Sequence, residues 1–159
     1  MTAEKQQEFS AKIVAANKSQ LVVIIYDLFL EYLNEAREHF NSNKRKDFSK
    51  CVKNMRDCLS ELISSIQCNN ELAPNYAALY LFCNEQLDSS EIKYDIKYLE
   101  DVIPIITNLR EGFLEAANTD TSKAVMENAQ SIYSGLTYGR DVNPVEIMND
   151  PSKNRGFLV

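Results

Sequence analysis

Residues 19–40, SQLVVIIYDLFLEYLNEAREHF, carry the strongest periodic pattern in this chain. Apolar residues recur there at alternating intervals of four and three positions, as on one face of an α-helix. In the first half, apolar residues cover most of the helix circumference, whereas the second half has one apolar face and one polar face. We therefore expect a helix over residues 20–41, capped by Ser19. Its main apolar stripe consists of Val22, Tyr26, Phe29, Leu33, Ala36 and Phe40.

Three further long helices are predicted from the same periodicity. They span residues 48–67, 74–90 and 92–117 and are separated by short polar segments. Pro104 lies inside the last of them and should kink it, because proline lacks a backbone donor and clashes with the preceding turn. Four long amphipathic helices joined by short loops predict an all-α fold, an antiparallel up-down four-helix bundle.

Weaker helical patterns flank these four helices, at residues 3–16 and 122–137. The first has only Phe9, Ile13 and Ala16 on its apolar stripe, so it is too short and too polar to be stable alone. We expect the bundle to carry a short N-terminal helix and an extra C-terminal helix. The expected organisation is one helical-bundle domain at 1–139, with a gate segment at 1–18 and an accessory helix at 119–139, and a flexible tail at 140–159.

Composition and charge argue against several classes of function. The chain has 159 residues, which fits one domain, and its 4 Gly and 4 Pro are too few for the turns of an all-β fold. Its net charge is −6, whereas a nucleic-acid binder needs a positive surface, so we expect no nucleic-acid partner. The longest apolar stretch, residues 21–33, is too short to span a bilayer, and the chain does not begin with an apolar signal segment. We expect a cytoplasmic protein without membrane insertion.

Residue types that carry catalysis or bind metals are scarce. His39 is the only histidine, so one chain cannot supply the two Glu-x-x-His pairs of a di-iron bundle. The 4 Cys have no CxxC spacing, which is typical of reduced thiols and not of a zinc site or a disulfide framework. Glu100 and Asp101 lie beside Lys97, as on a solvated helix face. We therefore expect no enzyme activity, no catalytic residue, no metal and no cofactor.

Residues 20–41 and 74–90 contain more apolar side chains than one buried face requires. In the first of these helices, Leu21, Ile25 and Leu28 belong to a second stripe beside the main one. This helix could lie centrally in the bundle, or one of its sides could bind a partner segment. Periodicity alone favours the central position, and the N-terminal segment or the extra C-terminal helix could also cover the surface.

Motifs in three segments occur in an order known from one family. The first motif comprises Leu21, Ile25, Tyr26, Asp27, Leu33 and Ala36. The second comprises Asn75, Tyr76, Leu79, Tyr80 and Phe82, and the third comprises Asp95, Leu99, Glu100, Asp101 and Val102. With this order and spacing, residues 9–117 resemble the flagellin-specific export chaperones of the FliS family. The N-terminal motif of that family is kept in part, as Phe9, Lys12 and Val14, with Phe9 in the place of a tyrosine.

The resemblance implies a chaperone without enzyme activity. Such a protein binds the disordered C-terminal segment of flagellin, prevents premature polymerisation and delivers flagellin to the flagellar export gate. The resemblance also implies a role for Phe9 and Ile13 in the gate segment and in export recognition. The alternative is a generic helical adaptor or regulator that docks an amphipathic helix of another partner. The groove residues implied for flagellin are Leu21, Ile24, Ile25, Leu28, Tyr80 and Leu81.

Overall fold

A computed structural model describes the protein over residues 1–66 and 73–126. These residues form helices and connecting segments and contain no strand, which confirms the all-α fold class. The predicted helix positions agree with the observed ones to within a few residues, apart from the connection between the last two long helices. The helices are α1 (Ala3–Ala15), α2 (Lys18–Asn41), α3 (Arg45–Ile66), α4 (Ala73–Lys93) and α5 (Lys97–Thr119).

The four long helices surround a common core. α2 packs against α3 and α5, and α4 packs against the same two helices, so α2 and α4 lie diagonally across the bundle. α1 packs on α2. On the facing sides of α2 and α5, Asp27 pairs with Arg110 and Arg37 pairs with Glu100, so residue numbers fall along α5 as they rise along α2. These two helices therefore run in opposite directions.

The start of α2 is fixed by a capping box. The Oδ1 atom of Asn17 accepts a hydrogen bond from the backbone N–H of Gln20 at 2.9 Å, and the Gln20 Oε1 atom accepts from the Asn17 backbone N–H at 3.0 Å. Each side chain thus satisfies a backbone donor that the helix leaves free. The cap was predicted at Ser19, which instead lies inside α2 and donates its hydroxyl hydrogen to the Asp120 carboxylate.

The connection between α4 and α5 differs from the sequence-based prediction. The helices are separated by residues 94–96, and Ile92, the first residue of the helix predicted at 92–117, belongs to α4 and is 77% exposed. Tyr94 has a φ of 51°, in the left-handed region that ends a helix. Its ring packs against Phe40 at 5.0 Å and Phe48 at 5.2 Å between ring centroids. This aromatic cluster places the break after Lys93, because the Tyr94 ring must turn inward at the end of the bundle.

Tyr26 of α2 and Tyr80 of α4 meet in the centre of the core, where neither side chain has exposed surface. Their hydroxyl groups hydrogen-bond to each other. Burial raises the pKa of Tyr80 to about 12 and raises the pKa of Tyr26 as well, so both phenols stay neutral. The pair satisfies two polar groups that would otherwise lie unpaired in an apolar interior.

Three of the four cysteines lie among the described residues, and all three are free and buried. Burial raises the pKa of the Cys58 thiol to about 12 and the pKa of the Cys51 and Cys83 thiols to about 11. A thiol that is buried and protonated behaves as a small apolar core residue and is a poor nucleophile. Cys68 lies outside the described residues.

After α5 the chain returns to the junction between α1 and α2. The side-chain amide of Asn17 donates to the backbone carbonyls of Asp120, at 3.1 Å, and Ser122, at 3.4 Å. Hydrogen bonds from Ser122 and Ser19 lower the pKa of the Asp120 carboxyl to about 2, so it is ionised at neutral pH. Helical structure resumes at Val125. Of the predicted accessory helix, residue 119 belongs to α5, and its part beyond residue 126 lies outside the described residues, as does the predicted tail at 140–159.

Candidate partner-binding surface

The N-terminal helix α1 lies along α2 and is held there mostly by surface contacts. Lys5 of α1 forms an ion pair with Glu31 of α2. At the other end of α1, Lys12 and Ala15 line a shared groove with Ile24. α1 therefore runs opposite to α2. None of its residues is buried, and its large apolar side chains Phe9 and Ile13 are only half-buried, so little apolar area holds it in place.

The predicted groove residues of α2 are largely covered in this structure. Ile24 is buried, and Leu21, Ile25 and Leu28 are half-buried. Ile25 and Leu28 pack against the bundle core. The surplus of apolar side chains on α2 is covered because α1, α3 and α5 all pack on this helix. In this structure α2 therefore lies centrally in the bundle, which is the position that its periodicity favoured.

The two predicted groove residues of α4 have opposite environments. Tyr80 has no exposed surface and hydrogen-bonds to Tyr26 in the core, so in this structure it belongs to the core and not to an accessible groove. Leu81 is 59% exposed. Since α2 and α4 lie diagonally, the structure does not join Leu81 and the α2 residues into one continuous surface.

An exposed apolar patch lies on the first turns of α4. It consists of Leu79, Leu81 and Phe82, which we call the α4 patch; Leu79 is 38% exposed and Phe82 is 40% exposed. Leu79 and Phe82 are three residues apart and therefore neighbours on the helix surface, whereas the exposed Leu81 is rotated about 100° from Phe82 around the helix axis. Leu79 and Phe82 were not among the groove residues predicted from the sequence. The signal that could have identified them is that residues 79–82, LYLF, are apolar without interruption, so no single buried face can cover all four.

A groove of about 380 Å³ separates α1 from α5 above the first half of α2. We call it the α1–α5 groove. Its lining is mostly apolar. The lining residues are Lys12, Ala15 and Ala16, then Gln20, Val23 and Ile24, then Leu114, Ala117 and Asn118.

Neither a cluster of metal-ligating side chains nor a membrane-spanning helix occurs in the part of the chain that the structure describes. Over residues 1–66 and 73–126, no three His, Cys, Asp or Glu side chains come together in a way that could hold a metal ion. No helix in the same ranges is long and apolar enough to cross a membrane. The apolar area described above lies on α4 and between α1 and α5.

Exposed apolar patches on a helical bundle are typical of the class of helical proteins that bind other proteins. Residues 1–120 match the family model described as flagellar protein FliS. The chain therefore belongs to the FliS family, a family of flagellar export chaperones that bind flagellar proteins. A comparison with curated proteins finds no significant match. The family match confirms the resemblance seen in the sequence and covers all five helices.

Proposed function

We propose that this protein is a cytoplasmic chaperone that binds the disordered C-terminal segment of flagellin, prevents its premature polymerisation and delivers it to the export gate. Membership of the FliS family carries the proposal. The α4 patch supports it, because a disordered segment must bury apolar side chains to offset the entropy that it loses on ordering. Leu79, Leu81 and Phe82 present such area on a rigid helix.

The proposed binding site has a part that is open and a part that is closed. Leu81 and the rest of the α4 patch are accessible without any rearrangement. The α2 residues Leu21, Ile24, Ile25 and Leu28 are covered or half-covered, so flagellin would reach them only if α1 moved away. Because α1 buries no residue completely, a longer ligand with more apolar area could displace it. In this proposal Phe9 and Ile13 hold the gate segment closed, and their release upon binding makes them available for export recognition.

The α4 patch is tested by a charge substitution with a matched control. Leu81→Glu should weaken binding of a flagellin C-terminal peptide at least about tenfold, or about 1.4 kcal/mol, because a carboxylate would be desolvated in an apolar contact. Ile92→Glu introduces the same charge on the same helix at a more exposed position outside the patch, and should bind like the unmodified protein. Titration calorimetry measures both. Equal affinities of the two variants would contradict the assignment of the patch.

The identity of the partner segment needs a separate measurement. Full-length flagellin should bind with a strongly negative heat-capacity change, since apolar area is buried. Flagellin that lacks its C-terminal segment should not bind. Equal binding of the two forms would overturn the proposed function, whatever the outcome for Leu81.

Removal of most of α1 tests the gate. Deletion of residues 1–14 should increase the binding of a dye that reports exposed apolar surface, and should leave the helix content of the bundle intact, because α1 packs mainly on α2 and none of its residues is buried. This deletion keeps Ala16 and Asn17, which are buried and support the start of α2. Phe9→Ala should reproduce part of the increase. Val14→Ala, at a position 56% exposed, is the matched control and should have no effect. Unchanged dye binding after the deletion would rule out the gate.

A further inference from the structure

A group of basic side chains lies at the start of α3, in a protein whose net charge is −6. Residues 44–53, KRKDFSKCVK, contain five basic residues and one acidic residue. Lys46, Lys50 and Lys53 follow one another at intervals of four and three positions, so they lie on one face of α3. All three side chains are exposed. We call these three residues the α3 basic stripe.

The lysines of this segment lack an acidic partner within the described part of the chain. No ion pair there involves Lys44 or any residue of the α3 basic stripe. By contrast, Lys5, Arg56 and Arg110 each pair with a carboxylate on a neighbouring helix. The positive charge at the start of α3 is therefore accessible to carboxylates of another molecule.

The position of these charges along α3 is unfavourable for the helix itself. A helix N-terminus carries a partial positive charge, so basic side chains stabilise a helix near its C-terminus and not near its N-terminus. α3 begins at Arg45, and Lys46 lies in its first turn, where Asp47 is the one acidic residue. The last turn of α3 contains no basic residue. Helix stability therefore does not account for the stripe, whereas an anionic ligand would stabilise this end of α3.

The backbone that carries the stripe is held in place by the core. Phe48, in the same part of α3, has no exposed surface. The turn before α3 is fixed by the backbone N–H of Lys44, which donates to the carbonyl oxygen of His39 at 2.8 Å. A ligand therefore meets lysines on a backbone that is already ordered, which lowers the entropy cost of binding.

We propose that the α3 basic stripe binds an acidic helical segment of a partner protein. Lys46 and Lys53 are seven residues apart, which corresponds to about 10 Å along the helix axis. Carboxylates on one face of a partner helix, at intervals of four and three residues, repeat the spacing of the three lysines. A partner helix that lies alongside α3 thus brings one carboxylate to each lysine.

The surroundings of the stripe favour a protein partner over a membrane or a nucleic acid. None of the exposed large apolar side chains of the described residues lies between residues 41 and 65, whereas a helix that binds a membrane surface inserts apolar side chains into it. Beyond Lys53, α3 carries the exposed carboxylates of Asp57 and Glu61. These carboxylates would repel the phosphates of a nucleic acid that continued along the helix.

The stripe and the α4 patch lie toward opposite ends of the bundle. Tyr94 packs on Phe48, and Arg56 pairs with Asp88 at 2.7 Å, so residue numbers fall along α4 as they rise along α3. Leu81 lies thirteen residues before Tyr94, which corresponds to about 20 Å along α4. One molecule can therefore bind an acidic segment and the partner of the α4 patch together. The inference holds whichever partner the α4 patch binds.

Fluorescence anisotropy of a labelled synthetic peptide tests the proposal with the full-length protein. The probe is an alanine-rich helical peptide with three glutamates at intervals of four and three residues. The stripe variant combines Lys46→Glu, Lys50→Glu and Lys53→Glu. It should lower the affinity for this peptide at least about tenfold, because three attractions become repulsions. A higher salt concentration should weaken binding to the unmodified protein, since exposed charges are screened.

A second triple variant is the matched control, because it makes the same change in net charge outside the stripe. It combines Lys18→Glu, Lys97→Glu and Lys123→Glu. Every substituted side chain in both variants is exposed, so both should keep the helix content of the unmodified protein. We expect the control variant to lose much less affinity for the peptide than the stripe variant.

Three results would overturn the proposal. The first is equal loss of affinity in the two triple variants, which would show an effect of net charge alone. The second is absence of peptide binding to the unmodified protein. The third is stripe-dependent binding of vesicles with an anionic lipid, or of a single-stranded RNA oligonucleotide, that is stronger than binding of the peptide.

Discussion

Phe48→Ala is expected to lower the free energy of unfolding by about 3–5 kcal/mol, the range typical of a large aromatic residue removed from a well-packed core. Phe48 has no exposed surface. Its ring packs against Phe40, at 6.0 Å between centroids, and edge-on against Tyr94, at 5.2 Å. The substitution would remove the centre of the aromatic cluster that joins α2, α3 and the connection between α4 and α5. Since small proteins are stable by only about 5–15 kcal/mol, this is a large fraction of the total.

Urea denaturation monitored by circular dichroism measures this loss. Phe48→Leu keeps most of the side-chain volume and should cost less than about 1.5 kcal/mol, which also leaves a folded variant to measure if the alanine variant does not fold. Phe82→Ala is the matched control, because it removes the same atoms from an exposed position of the α4 patch. We expect it to change stability little while weakening partner binding. Equal destabilisation by Phe48→Ala and Phe82→Ala would contradict the packing described for Phe48.

The second large effect is expected at the Tyr26–Tyr80 hydrogen bond. Tyr26→Phe leaves the Tyr80 hydroxyl buried without its partner, and Tyr80→Phe does the same to Tyr26. Each single substitution should therefore cost about 1–3 kcal/mol, the penalty of an unsatisfied buried polar group. The double variant removes both hydroxyls together and should cost clearly less than the sum of the two single variants.

A double-mutant cycle measures this coupling from four unfolding curves. Tyr94 provides a comparison within the same protein, because its hydroxyl is buried and has no hydrogen-bond partner among the described residues. Tyr94→Phe removes a hydroxyl that is buried without a hydrogen bond, so it should leave the free energy of unfolding unchanged or raise it slightly. Additive costs for Tyr26→Phe and Tyr80→Phe would show that the two hydroxyls do not depend on each other in the folded protein.

The helices and the bundle class could be predicted from the sequence because helical periodicity is a local property. The stripe at Val22, Tyr26, Phe29, Leu33 and Ala36 is buried in the structure as the spacing indicated. The family resemblance was also visible locally, in motifs that lie within single helices. Neither inference required knowledge of which helices are neighbours.

Helix ends were predicted less well where distant residues determine them. The break between α4 and α5 lies at Tyr94 because its ring packs on Phe40 and Phe48, which are far away in the sequence. The cap of α2 is Asn17, whose side chain also binds the backbone at Asp120 and Ser122, whereas Ser19 is engaged by Asp120. No local pattern contains these contacts.

Only the tertiary structure determined which of the surplus apolar side chains on α2 and α4 are exposed. The sequence showed that both α2 and α4 have more apolar side chains than one face can bury. In the bundle, α2 has three helices packed on it, α1, α3 and α5, and its surplus is covered. α4 packs mainly against α3 and α5, so Leu81 is exposed while its neighbour Tyr80 is buried against Tyr26 in the core. The sequence by itself determined how much apolar surface each helix carries, but the number and position of neighbouring helices decided which part of it remains available to a partner.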